Sequence, residues 1–384
     1  MATRTERFPN WIAALVPALI IAVLLIVFIK IDPIGSLREV PPAEEIAVER
    51  TVLTDGHISL RVRNDGPDTV TIAQVLIDDA YWGHEIGDRS LGRLESTEID
   101  IDYPWDPGLP LAIGLVTETG VVVEHEIEAA SVTPDMDGRT LGIYALLGLY
   151  IGVIPVAIGL LWFPALRRAS QKWLTFFLAF TVGLLAFLLI DTVEHGFEIA
   201  SEAGAALNGL GVFFIGVLVA VAALTWLAWT LDAKRKVSSG LLLAYLIAAG
   251  IGLHNLGEGL AVGAALAAGE IALGTFLIVG FALHNTTEGL AIVAPLGTQE
   301  ERPSIWHFVA LGAIAGVPTI FGAWAGGFAF SAVWGSFAFG IAAGAIAQVV
   351  WAITRSMRER AGSGAAVAGF CVGLIAMYAT GLLA

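Results

Sequence analysis

Two copies of one short motif carry the most distinctive chemistry in this chain. The motif reads HNLGEGLA from His254 to Ala261 and HNTTEGLA from His284 to Ala291, inside stretches apolar enough for a lipid bilayer. An ionisable side chain in a bilayer core costs roughly 3 kcal/mol or more unless it is compensated. Because His, Glu and Asn are all competent metal ligands, a divalent metal ion is the simplest source of that compensation.

Helical spacing predicts that the polar residues of each motif share one face. Positions i and i+4 stack on the same side of an α-helix, so His254 and Glu258 point together, with Asn255 on the flank. The segment between the motifs is short, near Ala267 to Glu270, which predicts antiparallel neighbouring helices. The predicted metal site consists of His254, Asn255, Glu258, His284, Asn285 and Glu288.

The donor set of this predicted site favours particular ions. Two imidazoles and two carboxylates suit Zn²⁺, Fe²⁺ or Mn²⁺ better than Ca²⁺ or Mg²⁺, which prefer oxygen alone. A single His or Asn in a membrane helix more often makes a helix–helix hydrogen bond, and a single Glu can serve as a proton relay. Neither predicted helix contains Arg or Lys to neutralise Glu258 and Glu288, which favours metal binding.

Composition indicates the elements that hold these motifs. Hydrophobic residues make up 57% of the 384 residues and charged residues only 14%, against about a quarter charged in soluble domains. We therefore predict a polytopic all-α membrane bundle. Eight apolar runs follow residue 139, at about 141–163, 173–193, 207–231, 239–262, 271–296, 305–330, 333–353 and 363–384.

A separate apolar run, residues 11–29, begins the chain after Arg4 and Arg7. Its length of about 20 residues suits a bilayer-spanning helix. A cleavable signal peptide has the same layout, but no small-x-small pattern follows the run. We favour a retained anchor, with a first region at 1–32.

Residues 44–130 differ in pattern and in charge. Alternating runs such as 57–63 and 69–77, separated by Asp, Gly and Pro clusters, predict a small antiparallel β-sandwich of immunoglobulin-like type. Between residues 44 and 128 there are 19 acidic and 5 basic residues, so nearly all of the net charge of −15 lies there. A module this acidic repels nucleic acid and anionic lipid, which excludes both as its partners. Strand alternation puts Glu124 and Glu126 opposite His125, which favours a solvated face over a metal site there.

Basic residues predict the sidedness of the chain. They follow the first, third and seventh runs of the bundle, whereas the loop at 196–206 is acidic. By the positive-inside tendency these basic segments and the N-terminus are cytoplasmic in a multi-pass cell-membrane protein, and the β module and C-terminus lie outside. The residues concerned are Arg167, Arg168, Lys172, Lys234, Arg235, Lys236, Arg355, Arg358 and Arg360.

The paired motif, the eight runs and the glycine-rich final third resemble the ZIP family of divalent metal transporters, in particular its GufA-like bacterial and archaeal branch. The resemblance covers about 141–384, which we take as the transport domain at 139–384. It implies movement of metal into the cytoplasm, as a homodimer with elevator-like alternation. His254, Glu258, His284 and Glu288 match its primary site, and Asn255 and Asn285 with both glutamates match its second site.

The resemblance also implies roles for two further places. Asp191, Glu194 and His195 match an entry funnel for cations, although an interfacial cluster facing water explains the same residues. Thr319 stands where many members carry a glutamate of the second site, which leaves open whether one or two ions bind.

We therefore expect a transporter whose substrate is Zn²⁺, with Fe²⁺ and Mn²⁺ as further candidates, and neither enzyme activity nor an organic cofactor. Two rival functions use the same residues: a membrane-embedded metalloenzyme and a metal-sensing receptor. The sequence shows no HExxH motif and no nucleophilic Ser or Cys motif for the first. For the second, it has no large cytoplasmic domain to pass on a signal.

Overall fold

The computed structural model of the protein describes most of the chain. The chain forms two compact units, residues 1–43 and residues 44–384. In the first unit, the predicted anchor run corresponds to helix α1, Asn10–Ile31. The described residues are 10–31, 44–127, 129–135, 137–204, 206–233, 239–267, 271–299, 302–329, 331–359 and 362–381.

The second unit begins with short antiparallel strands, as the alternating pattern predicts. β-branched and aliphatic side chains at every second position bury one face of each long strand. The strands are β1 (Ile46–Thr54), β2 (His57–Asn64), β3 (Val70–Ile77), β4 (Ala80–Trp82), β5 (Glu85–Ile86), β6 (Ser90–Leu91), β7 (Ser96–Asp102), β8 (Leu111–Thr117) and β9 (Val122–Ile127).

These strands form two sheets around one hydrophobic core. The first sheet has the order β1-β2-β7-β5, and the second has the order β4-β3-β8-β9, with β6 paired to β3. Ile58 and Ile99 from the first sheet and Ile72 and Leu115 from the second are fully buried in the same cluster. We call residues 44–130 the β domain.

Helices follow from residue 138. They are α2 (Gly138–Gly148), α3 (Ile154–Leu160), α4 (Phe163–Arg167), α5 (Gln171–Glu202), α6 (Gly209–Ala233), α7 (Ser239–Ala267), α8 (Ile271–Val293), α9 (Ile305–Gly316), α10 (Pro318–Ala329), α11 (Ala332–Ser356) and α12 (Gly364–Gly381). A π-helical turn, Leu149–Val153, joins α2 to α3, and a 3₁₀ turn, Ala294–Thr298, follows α8.

Among the described residues, seven helical segments are long and apolar enough to cross a membrane, which fits a multi-pass membrane protein. They match the first seven predicted runs. The eighth run contains α12, whose described apolar part, Gly364–Ala379, is shorter. The predicted turn near Ala267 to Glu270 and the basic residues at 234–236 and 360 lie largely outside the described residues.

Two of the predicted runs are interrupted, and prolines supply the reason. Pro155 has no amide hydrogen to offer the carbonyl of Ile151 four residues earlier, and the π-helical turn lies there. In the sixth run, α9 ends at Gly316 and α10 starts at Pro318. At each interruption a backbone carbonyl, Ile151 O or Ala315 O, accepts a hydrogen bond from a side chain of another helix.

Helix α7 lies at the centre of the contacts around the motifs. It packs against α8, α9, α10 and α11. Small residues allow the closest of these approaches: a Cβ atom at Gly259 would lie 2.1 Å from the Thr319 carbonyl oxygen, and one at Gly322 would lie 2.1 Å from the Leu256 carbonyl oxygen. Such glycine contacts are typical of membrane helices, whose backbones approach closely.

A buried ion pair joins the β domain to the helices. Arg63 donates to Glu49 and, over 3.1 Å, to Asp65 Oδ1, and it also donates over 3.0 Å to the carbonyl oxygen of Ala203 at the end of α5. Asp65 Oδ2 accepts from the Ala206 amide over 2.9 Å. This Arg63–Asp65 cluster fixes the β domain to the turn between α5 and α6.

Candidate metal site

The two motifs meet inside the bundle. The ligand atoms of His254, Glu258 and His284 all lie within 4.8 Å of one another, and all three residues are buried. The residues come from near the middle of α7 and α8, which pack against each other. The spacing therefore correctly predicts that these three side chains come together.

The Glu258 carboxylate lies at the centre of the cluster. Its Oε1 faces both imidazoles, at 3.0 Å from His254 Nε2 and at hydrogen-bonding distance from His284 Nε2. Its Oε2 accepts a 2.8 Å hydrogen bond from Asn285 Nδ2. One carboxylate thus gathers three of the six predicted side chains.

Thr192 on α5 determines which nitrogen of His254 carries the hydrogen. The Thr192 hydroxyl donates its only hydrogen to the Leu188 carbonyl oxygen over 2.7 Å. Its oxygen is 3.1 Å from His254 Nδ1, so it must accept the hydrogen of that nitrogen. In the neutral ring Nε2 then holds a lone pair, and it points at Glu258.

The contact between His254 Nε2 and Glu258 Oε1 consequently joins two acceptors. An ionised carboxylate has no hydrogen to donate, and Nε2 of this tautomer has none either. The contact is stable only with a positive charge between or beside the two atoms. A proton shared by the two atoms supplies it, and so does a metal ion.

Glu288 is buried, and no described residue gives it a cationic partner. Neither of its carboxylate oxygens has a hydrogen-bond partner among the described residues, although Asn255 is a polar neighbour. Glu258 is near enough to repel it electrostatically. A buried unpaired charge is costly, and metal coordination is one of the few arrangements that removes the cost.

Each asparagine side chain donates a hydrogen bond to a backbone carbonyl beside a helix interruption. Asn255 Nδ2 donates over 3.0 Å to Ala315 O beside the break between α9 and α10, and Asn285 Nδ2 donates over 3.0 Å to Ile151 O in the π-helical turn. Within the described chain, the Oδ1 atoms of both residues lack a hydrogen-bond partner, and so does the buried Thr319 Oγ1. These oxygen atoms are candidates for a second cation, as the resemblance implies for the asparagines.

The predicted entry residues do not join this cluster. Asp191 is half-buried, Glu194 and His195 are exposed, and His195 Nδ1 is 3.0 Å from the backbone oxygen of Asp191. His195 also stacks on Phe339, with 6.5 Å between ring centres. These positions are compatible with both interpretations, an entry funnel for cations and an interfacial cluster that faces water.

In the β domain the alternation is as predicted. Glu124 and Glu126 are exposed, whereas His125 lies on the other face and its Nε2 is 2.9 Å from Thr51 Oγ1. Burial lowers the pKa of His125 below its usual value. The three side chains do not converge.

Sequence reasoning missed the partners that orient the site. Thr192 lies between Asp191 and Glu194 in an apolar helix, and a threonine in that setting commonly bonds its own helix. The Ile151 and Ala315 carbonyls carry no sequence signal except Pro155 and Pro318 nearby. Only the packing of α5, α9 and the π-helical turn against α7 and α8 reveals them.

The fold and the cluster define a multi-pass helical membrane protein with a buried His/Glu/His group that could hold a metal ion. No protein-family model matches the chain, and no curated protein matches it either.

Proposed function

We propose that this protein transports divalent transition-metal ions, Zn²⁺ first among them, through the site between α7 and α8. The observation that carries the proposal is the arrangement around two buried carboxylates. Glu258 faces the lone pair of His254 Nε2 and lies at hydrogen-bonding distance from His284 Nε2, and no Lys or Arg lies in either helix to neutralise Glu258 or Glu288. A passing divalent ion supplies the missing positive charge.

The proposed ligands form a set that Zn²⁺ favours. His254 Nε2, His284 Nε2 and Glu258 Oε1 already lie together, and Glu288 is the fourth candidate. Three or four nitrogen and oxygen ligands suit tetrahedral Zn²⁺, and Fe²⁺ and Mn²⁺ accept the same donors. Thr192 and Asn285 would act beyond the ligands, by orienting His254 and Glu258.

Transport is favoured over permanent retention by the position of the site. The motifs lie near the middle of two apolar helices and their side chains are buried, so we expect a bound ion to reach water only through a conformational change. Bound metal requires unprotonated ligands, so water entry and protonation of His or Glu would release it. We expect the acidic surface of the β domain to attract cations outside.

The resemblance to the ZIP family supports the same proposal. On this basis we infer eight spans, with α12 as the eighth, in addition to α1 as an anchor. We also infer a homodimer in the cell membrane, with the N-terminus in the cytoplasm and the β domain and C-terminus outside. Asp191, Glu194 and His195 would then attract cations at the outer entrance.

We infer an immunoglobulin-like topology for the β domain from its strand order. If β1, β2, β7 and β5 are strands A, B, E and D, the first sheet reads A-B-E-D. The neighbours β3, β8 and β9 then read C-F-G in the second sheet. Those are the two sheets of a constant-type immunoglobulin domain.

Uptake of Zn²⁺ into proteoliposomes tests the proposal. We expect Glu258→Ala and Glu288→Ala each to abolish uptake, because each removes a charge that balances the ion. Glu198→Ala is the matched control, since that glutamate is exposed on α5 outside the cluster. Undiminished flux in both site variants would end the transporter proposal, and Zn²⁺ binding without flux would favour the metalloenzyme or receptor.

A further inference from the structure

The β domain is attached to the helices at a second place besides the α5–α6 turn. Thr133, three residues beyond the domain, is tied to strand β1 by two hydrogen bonds. Its amide donates to the Leu53 carbonyl oxygen over 2.8 Å, and its hydroxyl oxygen accepts from the Leu53 amide over 2.9 Å. Helix α2 begins at Gly138, with Asp137 as its N-cap. Residues 134–136 alone therefore connect this bonded end to the first helix of the bundle.

This connection gives α2 little freedom to leave the β domain. Whatever conformation residues 134–136 adopt, the four Cα–Cα steps from Thr133 to Asp137 span at most about 14 Å. The first turn of α2 is also fixed to α10, because the Trp324 indole donates over 2.9 Å to the Leu141 carbonyl oxygen. The β domain and the α2–α10 pair therefore stay within the reach of that short segment.

The attachment to the α5–α6 turn is a close-packed one. The Asp65 side chain is completely buried there. Gly204 in the turn has a φ of +81°, and a Cβ atom at this position would lie 2.2 Å from Asp65 Oδ2. Turn and carboxylate thus fit together without a gap, in addition to the hydrogen bonds that Arg63 and Asp65 make with the turn.

Each of the two attached helices leads to a residue that orients the metal cluster. Thr192, which accepts from His254 Nδ1, lies roughly 15 Å of helix before the end of α5. Helix α2 leads into the π-helical turn, where the Ile151 carbonyl oxygen accepts from Asn285. The same Asn285 amide group donates to Glu258. The positions of both helices therefore bear on the geometry of the cluster.

The β domain bridges two helices that are not closely packed on each other. Among the described residues, α2 packs on α10 and the π-helical turn, whereas α5 packs mainly on α6, α11 and α12. We propose that the β domain is a strap that limits the separation of α2 and α5 at the end of the bundle where α2 begins and α5 ends. It thereby restrains opening of the metal cluster toward that end. A wider separation would have to break the Arg63–Asp65 cluster or exceed the reach of residues 134–136.

Lengthening the connection to α2 tests the strap while leaving both attachments intact. The lengthened variant carries about six glycine and serine residues, a flexible coil, inserted after Pro134. The control carries the same insertion between Thr119 and Gly120, in the exposed hairpin that joins β8 to β9. Both are made in the full chain with Cys371→Ser, which removes the native thiol.

A single cysteine beside the cluster reports its opening. Gly257 is buried and precedes Glu258, and a Cβ atom there would lie no closer than 3.7 Å to the Phe339 ring, so Gly257→Cys fits. We expect a water-soluble methanethiosulfonate to modify this position about tenfold faster in the lengthened variant than in the parent, and less than about twofold faster in the control.

Spin labels measure the separation of α2 and α5 directly. Gly142→Cys and Glu198→Cys place them at exposed positions of the two helices. We expect a broader distance distribution in the lengthened variant and an unchanged one in the control. The purpose of the strap rests on the proposed function, but both measurements are made without metal. Failure of Zn²⁺ uptake and failure of the strap are therefore separate results.

Freeing the other attachment should have the same effect as lengthening the connection. Asp65→Asn places an amide donor against Arg63 or the Ala206 amide, and it should speed modification at position 257 about as much as the insertion does. The two changes together should add little, because a strap is released when either end is free. Should Asp65→Asn fail to fold, the insertion decides alone, since it removes no side chain.

Three results would overturn the proposal. An unchanged modification rate or distance distribution in the lengthened variant would mean that the connection restrains nothing. Equal acceleration in the hairpin control would indicate general loosening of the β domain. Full additivity of Asp65→Asn and the insertion would show two independent contacts instead of one strap.

Discussion

Two buried clusters of charge in this protein meet the cost of burial in different ways. In the β domain, Arg63 pairs with Glu49 and Asp65, and Arg63 and Asp65 each also bond a backbone atom of the α5–α6 turn. In the bundle, Glu258 and Glu288 are equally buried, but no described residue of their cluster carries a permanent positive charge.

The difference separates a structural site from a binding site. A cluster that contains its own counter-charge is complete, so its contribution is to position the β domain on the helices. A cluster that lacks a counter-charge is completed by protons or by a metal ion. The same residue types therefore have different roles, which their surroundings decide.

The largest expected change in stability comes from breaking the Arg63–Asp65 cluster. Asp65→Ala removes one of the two carboxylates that pair with the buried Arg63 guanidinium and the acceptor of the Ala206 amide, so we expect the free energy of unfolding to fall by about 3 kcal/mol. Denaturant unfolding in detergent, followed by tryptophan fluorescence, measures it. Glu124→Ala on exposed strand β9 should change it by less than about 0.5 kcal/mol. Equal effects would contradict the structural role of the cluster.

Binding of a metal ion at the His254, Glu258 and His284 cluster should produce the next largest change in stability. Zn²⁺ at a hundred times its dissociation constant should stabilise the protein by about 2.7 kcal/mol, because it binds only the folded site. A chelator should reverse the gain, and proton release should accompany binding. Thermal unfolding with and without Zn²⁺ measures the shift.

Glu288→Gln provides the control for that experiment. It removes a charge without a cationic partner, so the metal-free protein should lose no stability, whereas stabilisation by Zn²⁺ should disappear. A metal-free variant that is much less stable would mean that Glu288 has a structural partner.

A smaller effect is expected from the residue that orients His254. Thr192→Val keeps the shape of the side chain but removes the acceptor for Nδ1–H, so metal affinity should fall about tenfold to a hundredfold. Thr192→Ser should restore it. Isothermal titration with Zn²⁺ and the visible spectrum of bound Co²⁺ measure the change, and identical spectra in all three proteins would contradict the role of Thr192.

The smallest expected effect is on the pH dependence of stability, and it comes from His125, whose partly buried imidazole remains neutral in the folded protein. Burial lowers the pKa of His125, so below about pH 6.5 the unfolded chain takes up a proton before the folded one does. The β domain should therefore lose a little stability as the pH falls from that value toward the folded pKa. Subtracting the stability of His125→Gln at each pH isolates this loss, and no difference in slope would contradict it.

The sequence predicted well the elements that repeat a simple pattern. Alternation at residues 57–63 and 69–77 corresponds to β2 and β3, and the apolar runs around the motifs correspond to α7 and α8. Interruptions were harder to predict, because the runs at 141–163 and 305–330 are apolar throughout. A proline can kink, widen or break a helix, and its packing partners decide which.

By itself, the amino-acid sequence determined which residues share a helical face and that the helices of Glu258 and Glu288 contain no Lys or Arg, because spacing and charge are local properties. Only the tertiary structure decided that Glu258 faces both imidazoles, that Thr192 sets the tautomer of His254, and that Arg63 is fixed to the α5–α6 turn. Each of these contacts joins atoms from distant segments, whose approach depends on packing rather than on the pattern of any one segment.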